Sequence, residues 1–274
     1  MKTDKAFVAY IDILGYSDFI RAFKPEEYAE IITQSLGISD GFENSQDIIF
    51  KTLVKYVSVN VLSDSIIVAL DMNVIEDIAE VFTKVRAIKT GNQDRLYRSV
   101  VTSVFFTILS SITVEFISKT GFLLRGAVDF GHYAVLPIRG NRDKLIHSDA
   151  LVRAFDLEKT ADLPRVILSK AVIEELKLLS SVGKRQSYIL NDFDGVHILN
   201  TYKTLGASDP RRVQRVLGDI IKNVMSRLPS EDDIKKRRKY DWFRNFHNQR
   251  VMALNELKQS ISTKHMFRSD VSSV

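Results

Sequence analysis

Residues 6–17 read Ala6-Phe7-Val8-Ala9-Tyr10-Ile11-Asp12-Ile13-Leu14-Gly15-Tyr16-Ser17. The stretch from Ala6 to Ile11 is apolar and rich in β-branched and aromatic residues, the pattern of a strand covered on both faces. It ends on a carboxylate, Asp12, and then on Gly15, where the backbone is free to turn tightly into a helical segment. Pro25 marks a further helix start, with helical periodicity through Ile31 and Ile32. A carboxylate closing a buried strand is costly unless it is paired or holds a cation. That cost makes Asp12 the first candidate functional residue.

Ile48 to Leu62 and Ser65 to Leu70 are two β-branched runs joined through Leu62-Ser63-Asp64-Ser65, a hairpin with an acid at its tip. Helical pattern runs from Val74 to Val85 and from Arg95 to Phe116, and Gly121 to Phe130 reads as a strand. A helix is predicted from His147 to Ala161, a short strand from Arg165 to Leu168, and a helix from Ser169 to Leu179 with Ser169 as its cap. Tyr188 to Leu199 holds one or two short strands broken at Asp194-Gly195. Val213, Val216, Leu217, Ile220, Ile221 and Val224 form the stripe of an amphipathic helix. A further helix from Ser230 to Ser260 carries Trp242, Phe243 and Phe246 on its packing side, as core or dimer contact. With no repeat and no low-complexity linker, the pattern gives one α/β domain with a helical C-terminal extension.

Composition narrows the function classes. The 274 residues are 45% hydrophobic and 27% charged, which excludes a disordered or fibrous chain. The absence of cysteine excludes disulfide scaffolds, thiolate zinc sites, iron–sulfur clusters and cysteine nucleophiles, and it suits a reducing compartment. A net charge of +5 fits an anionic ligand such as a nucleotide without calling for nucleic acid. Lys235-Lys236-Arg237-Arg238 lacks interleaved aromatics and reads as a solvated helix face. The five histidines have no ligand-like spacing. Met1 to Lys5 shows no signal-peptide pattern. The uncharged stretch Ser99 to Val114 falls short of the roughly 20 residues of a spanning helix and reads as a buried one. A cytoplasmic protein without membrane or nucleic-acid partners is expected.

Asp12 and Asp64, brought together from separate strands, suit one or two Mg²⁺ or Mn²⁺ ions held through oxygen, with phosphates supplying the remaining ligands. The same residues also suit a helix cap and a tight turn. The segment after Asp12 favours the ligand reading. Gly15 permits the turn, and the amides of Tyr16 and Ser17 at the helix start offer an anion cradle, so the set describes a nucleoside triphosphate site.

These residues resemble the motifs of the class III nucleotidyl cyclases. Asp12 to Ser17 is similar to their Asp-Ile-x-Gly-Phe-Thr motif, and Ser63-Asp64-Ser65 to their Gly-Asp hairpin. Leu124 to Gly131 is similar to their Arg-x-Gly-x-x-x-Gly strand, and Ser148 to Glu158 to their Val-Asn-x-Ala-x-Arg-Leu-Glu helix. Order and spacing agree over roughly residues 6 to 200. In detail, Ala9 to Tyr16, Leu62 to Ser65, Leu123 to Val128 and Ala154 to Glu158 most resemble the bacterial pyrimidine cyclases of Pycsar anti-phage systems.

The resemblance implies an α+β, ferredoxin-like cyclase domain over residues 1–205, a helical extension over 206–274, and a homodimer. It implies conversion of UTP or CTP to the 3′,5′-cyclic monophosphate and pyrophosphate, the product acting on a separate effector. Asp12 and Asp64 would bind two Mn²⁺ or Mg²⁺ ions with the carbonyl of Ile13, while Gly15, Tyr16 and Ser17 would hold the β- and γ-phosphates. The chain departs from the family where Val152 and Asp156 replace the helix Asn and Arg. Arg125, Arg153 or Lys184-Arg185 are the candidate substitutes. Asn60 replaces the purine-reading lysine and Leu145 the acidic purine reader. Asn carries both a donor and an acceptor, which suits a pyrimidine edge. An adenylate or guanylate cyclase and a degenerate nucleotide-binding fold are the alternatives.

Overall fold

A computed structural model describes residues 5–36, 56–85, 93–138, 143–179, 188–207 and 209–269. The opening run forms β1 (Lys5–Ile13), and its two-residue alternation sorts the molecule into faces. Phe7, Ala9, Ile11 and Ile13 enter the main core, whereas Ala6, Val8 and Tyr10 belong to a second cluster on the opposite face. By the same alternation Asp12 lies on the second face.

β1 runs antiparallel between β3 (Ser65–Asp71) and β4 (Leu124–Ile138), and β2 (Val57–Leu62) flanks β3. Helices α1 (Tyr16–Ala22) and α2 (Pro25–Leu36) follow β1, while α3 (Val74–Val85) and α4 (Gln93–Thr120) lie between β3 and β4. Sheet order β2-β3-β1-β4 with helices after the first and third strands is the split βαβ arrangement of ferredoxin-like α+β folds. The fold is therefore of the expected class.

Beyond β4 the sheet continues with parallel β6 (Val166–Leu168), then β8 (His197–Leu199) and β7 (Ile189–Asn191). α5 (Asp149–Lys159) covers the second face, packing Ala150 there, and α6 (Lys170–Leu179) follows β6. α7 (Pro210–Met225) and α8 (Ile234–Ser269) are the last described elements. Val213, Val216, Ile220, Val224 and Phe243 from these last helices are buried in the main core.

Several element boundaries differ from the sequence pattern. β4 continues past Phe130 to Ile138, and β5 (Asp143–Ser148) occupies positions where a helix was predicted from His147. These two strands bond to each other as an arm, and a ribbon edge tolerates Pro137 where a central strand would not. α5 starts after Ser148, whose hydroxyl accepts from the Leu151 amide at 3.0 Å. The long C-terminal helix starts at Ile234 and reaches Ser269. The part of the first hairpin strand over residues 48–55 lies outside the described residues.

α4 is longer than its uncharged stretch. By length and composition, Arg95–Thr120 is apolar enough to cross a membrane, yet 72% of its most apolar window is buried inside the fold. The expected shortfall in length is thus corrected, while the burial agrees. Thr102, Thr113 and Thr120 lie in this helix with their hydroxyls donating to the carbonyls of Arg98, Leu109 and Phe116, which lets polar residues sit in the core. After α4 the chain turns at Gly121, with φ +70°, where a side-chain carbon would stand 2.3 Å from the Asn223 carbonyl oxygen of α7.

Candidate active site

Register brings the two predicted acids to one end of the sheet. Asp12 on β1 stands opposite Ser65 on β3 and Arg125 on β4. Asp64 occupies the tight turn between β2 and β3, and its carbonyl accepts the Ile13 amide at 2.9 Å. That bond ties the hairpin tip to the end of β1. Tyr28 of α2 donates to the Ser63 carbonyl at 3.0 Å, and Tyr10 and Ser65 share a hydroxyl hydrogen bond of 2.6 Å beneath the turn.

Arg125 sits between acids. Its Nη2 lies 3.1 Å from Asp12 Oδ2, its Nε forms an ion pair with Glu158, and its Nη1 donates to the Ala161 carbonyl at 3.3 Å. Glu158 is only 3% exposed and shares the inner face of α5 with Ala150 and Ala154. Burial pushes the Asp12 carboxyl above the usual range, against the pull of Arg125, and the nearby charge of Asp64 adds to the rise. Glu158 is pushed up by burial too, with Arg125 opposing and Asp12 contributing. The Arg125 guanidinium is therefore shared by two acids, Asp12 and Glu158, that repel each other, and Asp64 adds a further repulsion at Asp12.

After β1 the Leu14 amide donates to Leu123, and Gly15 adopts the left-handed conformation at φ +78°. The Asp18 and Phe19 amides return to the Gly15 carbonyl at 2.9 and 3.0 Å. Tyr16 and Ser17 form the first turn of α1, where amides have no acceptor within the helix. The Tyr16 ring packs near Phe19 and Tyr28, and Ser17 is exposed.

Other sequence candidates lie farther off. Asn60 on β2 pairs with Ile67, which pairs with Tyr10, so it shares the sheet face of Asp12. Arg153 on α5 is held by Asp129 at 2.6 Å and Asp149 at 2.8 Å, four positions along β4 from Arg125. Asp156 is exposed beside Lys159, Val152 is 58% exposed, and Leu145 lies on the β4–β5 arm. Lys184-Arg185 lies outside the described residues. Among the described residues no three His, Asp, Glu or Cys side chains form a metal-ligating group.

Two residues at this end were not singled out from sequence. Glu158 carries a usable signal: an acid on the Ala150–Ala154 helix stripe has to be paired. Lys239 also has one, lying four residues before Phe243 and seven before Phe246 on the packing side of α8.

No family model matches the chain, and none of the curated proteins does. Among solved structures, the chain is similar to the adenylyl cyclase CyaB from P. aeruginosa at 14% identity, covering 71% of this chain and 92% of that one with a TM-score of 0.40. It is similar to the dimeric guanylyl cyclase domain of the RhoGC fusion protein from the aquatic fungus Blastocladiella emersonii at 11% identity, covering 72% and 96% with a TM-score of 0.41. The guanylyl cyclase Cya2 shows 12% identity over 71% of this chain and 90% of its own, with a TM-score of 0.37.

Proposed function

We propose that this chain is a divalent-cation-dependent nucleotide cyclase that converts UTP, or CTP, to the 3′,5′-cyclic monophosphate and pyrophosphate. The observation that carries the reading is the meeting of Asp12 and Asp64 at one sheet end, joined through the Ile13–Asp64 hydrogen bond. Both belong to ordered motifs that resemble those of class III cyclases. The donors suit hard cations by their chemistry: two carboxylates and the Ile13 carbonyl are all oxygen, and nucleotide phosphates would complete the shells of two Mn²⁺ or Mg²⁺ ions. Bound there, the ions would acidify the 3′-hydroxyl and offset the charge of the leaving pyrophosphate.

The chain's own residues would then position the reactants. Gly15, Tyr16 and Ser17 cradle the β- and γ-phosphates through the turn, the first helical amides and the Ser17 hydroxyl. Arg125, steadied by Glu158, is the candidate to offset charge at the phosphorus under attack, exchanging its bond to Asp12 for one to the substrate. The 3′-oxygen bonds to the α-phosphorus as the bond to the bridging oxygen breaks, and the hydroxyl proton passes to solvent. Asn60 offers a donor and an acceptor to a pyrimidine edge, and Arg153 remains the other arginine candidate. Residues 1–205 form the cyclase domain and 206–274 its helical extension. The working form is a cytoplasmic homodimer, without nucleic acid or membrane, whose product switches a separate effector in anti-phage defence. UTP is the favoured substrate.

A nucleotide-binding module without turnover is the second reading, supported by Val152 and Asp156 at the family's Asn and Arg positions and by the engagement of Asp12 with Arg125. Incubation with each nucleoside triphosphate and Mn²⁺, followed by product identification, separates the two. Cyclic UMP or cyclic CMP is expected, and Asp64→Ala should abolish it while keeping the fold. Cyclic AMP as main product overturns the base assignment, and nucleotide binding with no cyclic product establishes the second reading.

A further inference from the structure

α8 does more than cover the core. Phe243 is 2% exposed in the main cluster, and Trp242 and Phe246 line a small cavity with Leu124, Pro164 and Val166. This seating lays the Trp242–Phe246 part of α8 beside Leu124 at the start of β4 and Pro164 and Val166 at the start of β6. Residues four apart on a helix share a face, so Lys239 turns toward the same end of the sheet as Phe243, with Lys235 one turn before it. Tyr240, its neighbour, lies within electrostatic reach of Asp18 at the start of α1.

Lys239 is half-buried. Arg125 and Lys235 repel its ammonium, while Asp162 and Asp12 attract it. Among the described residues it closes no ion pair of its own. Burial and the two like charges hold the ammonium below the ordinary lysine range. Cations gathered in this way at the mouth of a site favour the arrival of an anion between them. Lys236, by contrast, is exposed and paired with Asp233 at 3.4 Å.

We propose that the C-terminal helix is part of the substrate site and that Lys239 receives the polyphosphate of the nucleotide bound at Asp12 and Asp64. The inference rests on the cyclase reading for the identity of that nucleotide. A triphosphate and two carboxylates together outweigh two divalent cations in charge, and Arg125 is already engaged by Glu158. Lys239 supplies the missing positive charge from the same chain. It acts as a positioning residue, holding the leaving end of the substrate.

The test is calorimetric titration of the full-length chain with inorganic tripolyphosphate in the presence of Mn²⁺, with KM and kcat for UTP measured alongside. Lys239→Met should weaken tripolyphosphate binding at least tenfold, flatten its salt dependence and raise KM with a smaller change in kcat. Lys239→Arg should restore most of the affinity, and Lys236→Met should behave as the parent. The thermal midpoint of Lys239→Met should not fall, since the change relieves repulsion with Arg125. A folded Lys239→Met chain binding within twofold of the parent overturns the proposal, as does a parent chain that binds no tripolyphosphate. Lys239-dependent binding without any cyclic product removes the cyclase reading and keeps the Lys239 site. Cyclic product with Lys239→Met fully active does the reverse.

Discussion

Asp12 Oδ2 lies 3.1 Å from Arg125 Nη2, so the acid that closes β1 already has a counter-ion within the fold. The same guanidinium is the ion-pair partner of Glu158, which is 3% exposed. Arg125 thus serves as the keystone of a three-residue network between β1, β4 and α5. Any divalent cation at Asp12 has to share that carboxylate with it.

The network gives a stability prediction. Arg125→Met strands a buried Glu158 carboxylate and should lower unfolding free energy by about 3–5 kcal/mol. The double change Arg125→Met with Glu158→Leu should recover part of the loss, because it removes the buried Glu158 charge together with Arg125 and leaves only the half-buried Asp12 without its counter-ion. Urea denaturation of the three variants measures this. A single variant within about 1 kcal/mol of the parent would mean that the pair is structurally idle.

Glycines give two predictions of opposite sign. A side-chain carbon at Gly126 would stand 2.6 Å from the Tyr10 carbonyl oxygen, a backbone atom fixed by the β1–β4 pairing, so Gly126→Ala should cost about 1–3 kcal/mol or more. Gly218 lies in α7 with nothing within 4 Å of such a carbon. There Gly218→Ala should stabilise by about 0.5–1 kcal/mol through helix propensity. Thermal unfolding compares both with the parent.

Much of this was legible in the sequence, for stated reasons. The two-residue alternation of β1 and the hairpin acid are local patterns, and they suffice to bring Asp12 and Asp64 to one sheet end. The β4–β5 arm was not legible. The sequence reading of this strand stops at Phe130, and its continuation depends on the pairing of β4 with β5 from Tyr133 with Ser148 to Ile138 with Asp143, a contact between segments that neither pattern carries alone. Glu158 and Lys239 depend on which helix face meets the sheet, a tertiary fact that helix periodicity narrows without fixing.

His247 makes stability depend on pH. It is 4% exposed, shares a 2.8 Å hydrogen bond with Tyr202, and burial lowers its pKa below the ordinary value. Between that lowered value and about 6.5 the unfolded chain binds a proton that the folded chain refuses, so this contribution falls as pH drops through the window. Asp12 and Glu158, with raised values, act in the opposite sense at lower pH. Comparison with His247→Gln cancels them. The parent should lose stability relative to this variant on going from pH 7.5 to 5.5, read from urea midpoints, and parallel curves would remove His247 as the source.

Asp64 should trade stability against function. Its charge raises the cost of ionised Asp12, so Asp64→Asn relieves a repulsion and should unfold no more readily than the parent. On the cyclase reading the parent chain binds Mn²⁺ with nucleotide, and ligand at about a hundredfold over its Kd should add about 2.7 kcal/mol to stability. Asp64→Asn should lose that increment together with turnover. Thermal unfolding with and without Mn²⁺ and UTP separates the terms. An Asp64→Asn chain that gains as much from Mn²⁺ and UTP as the parent would locate the cation away from the hairpin, and the two-acid site with it.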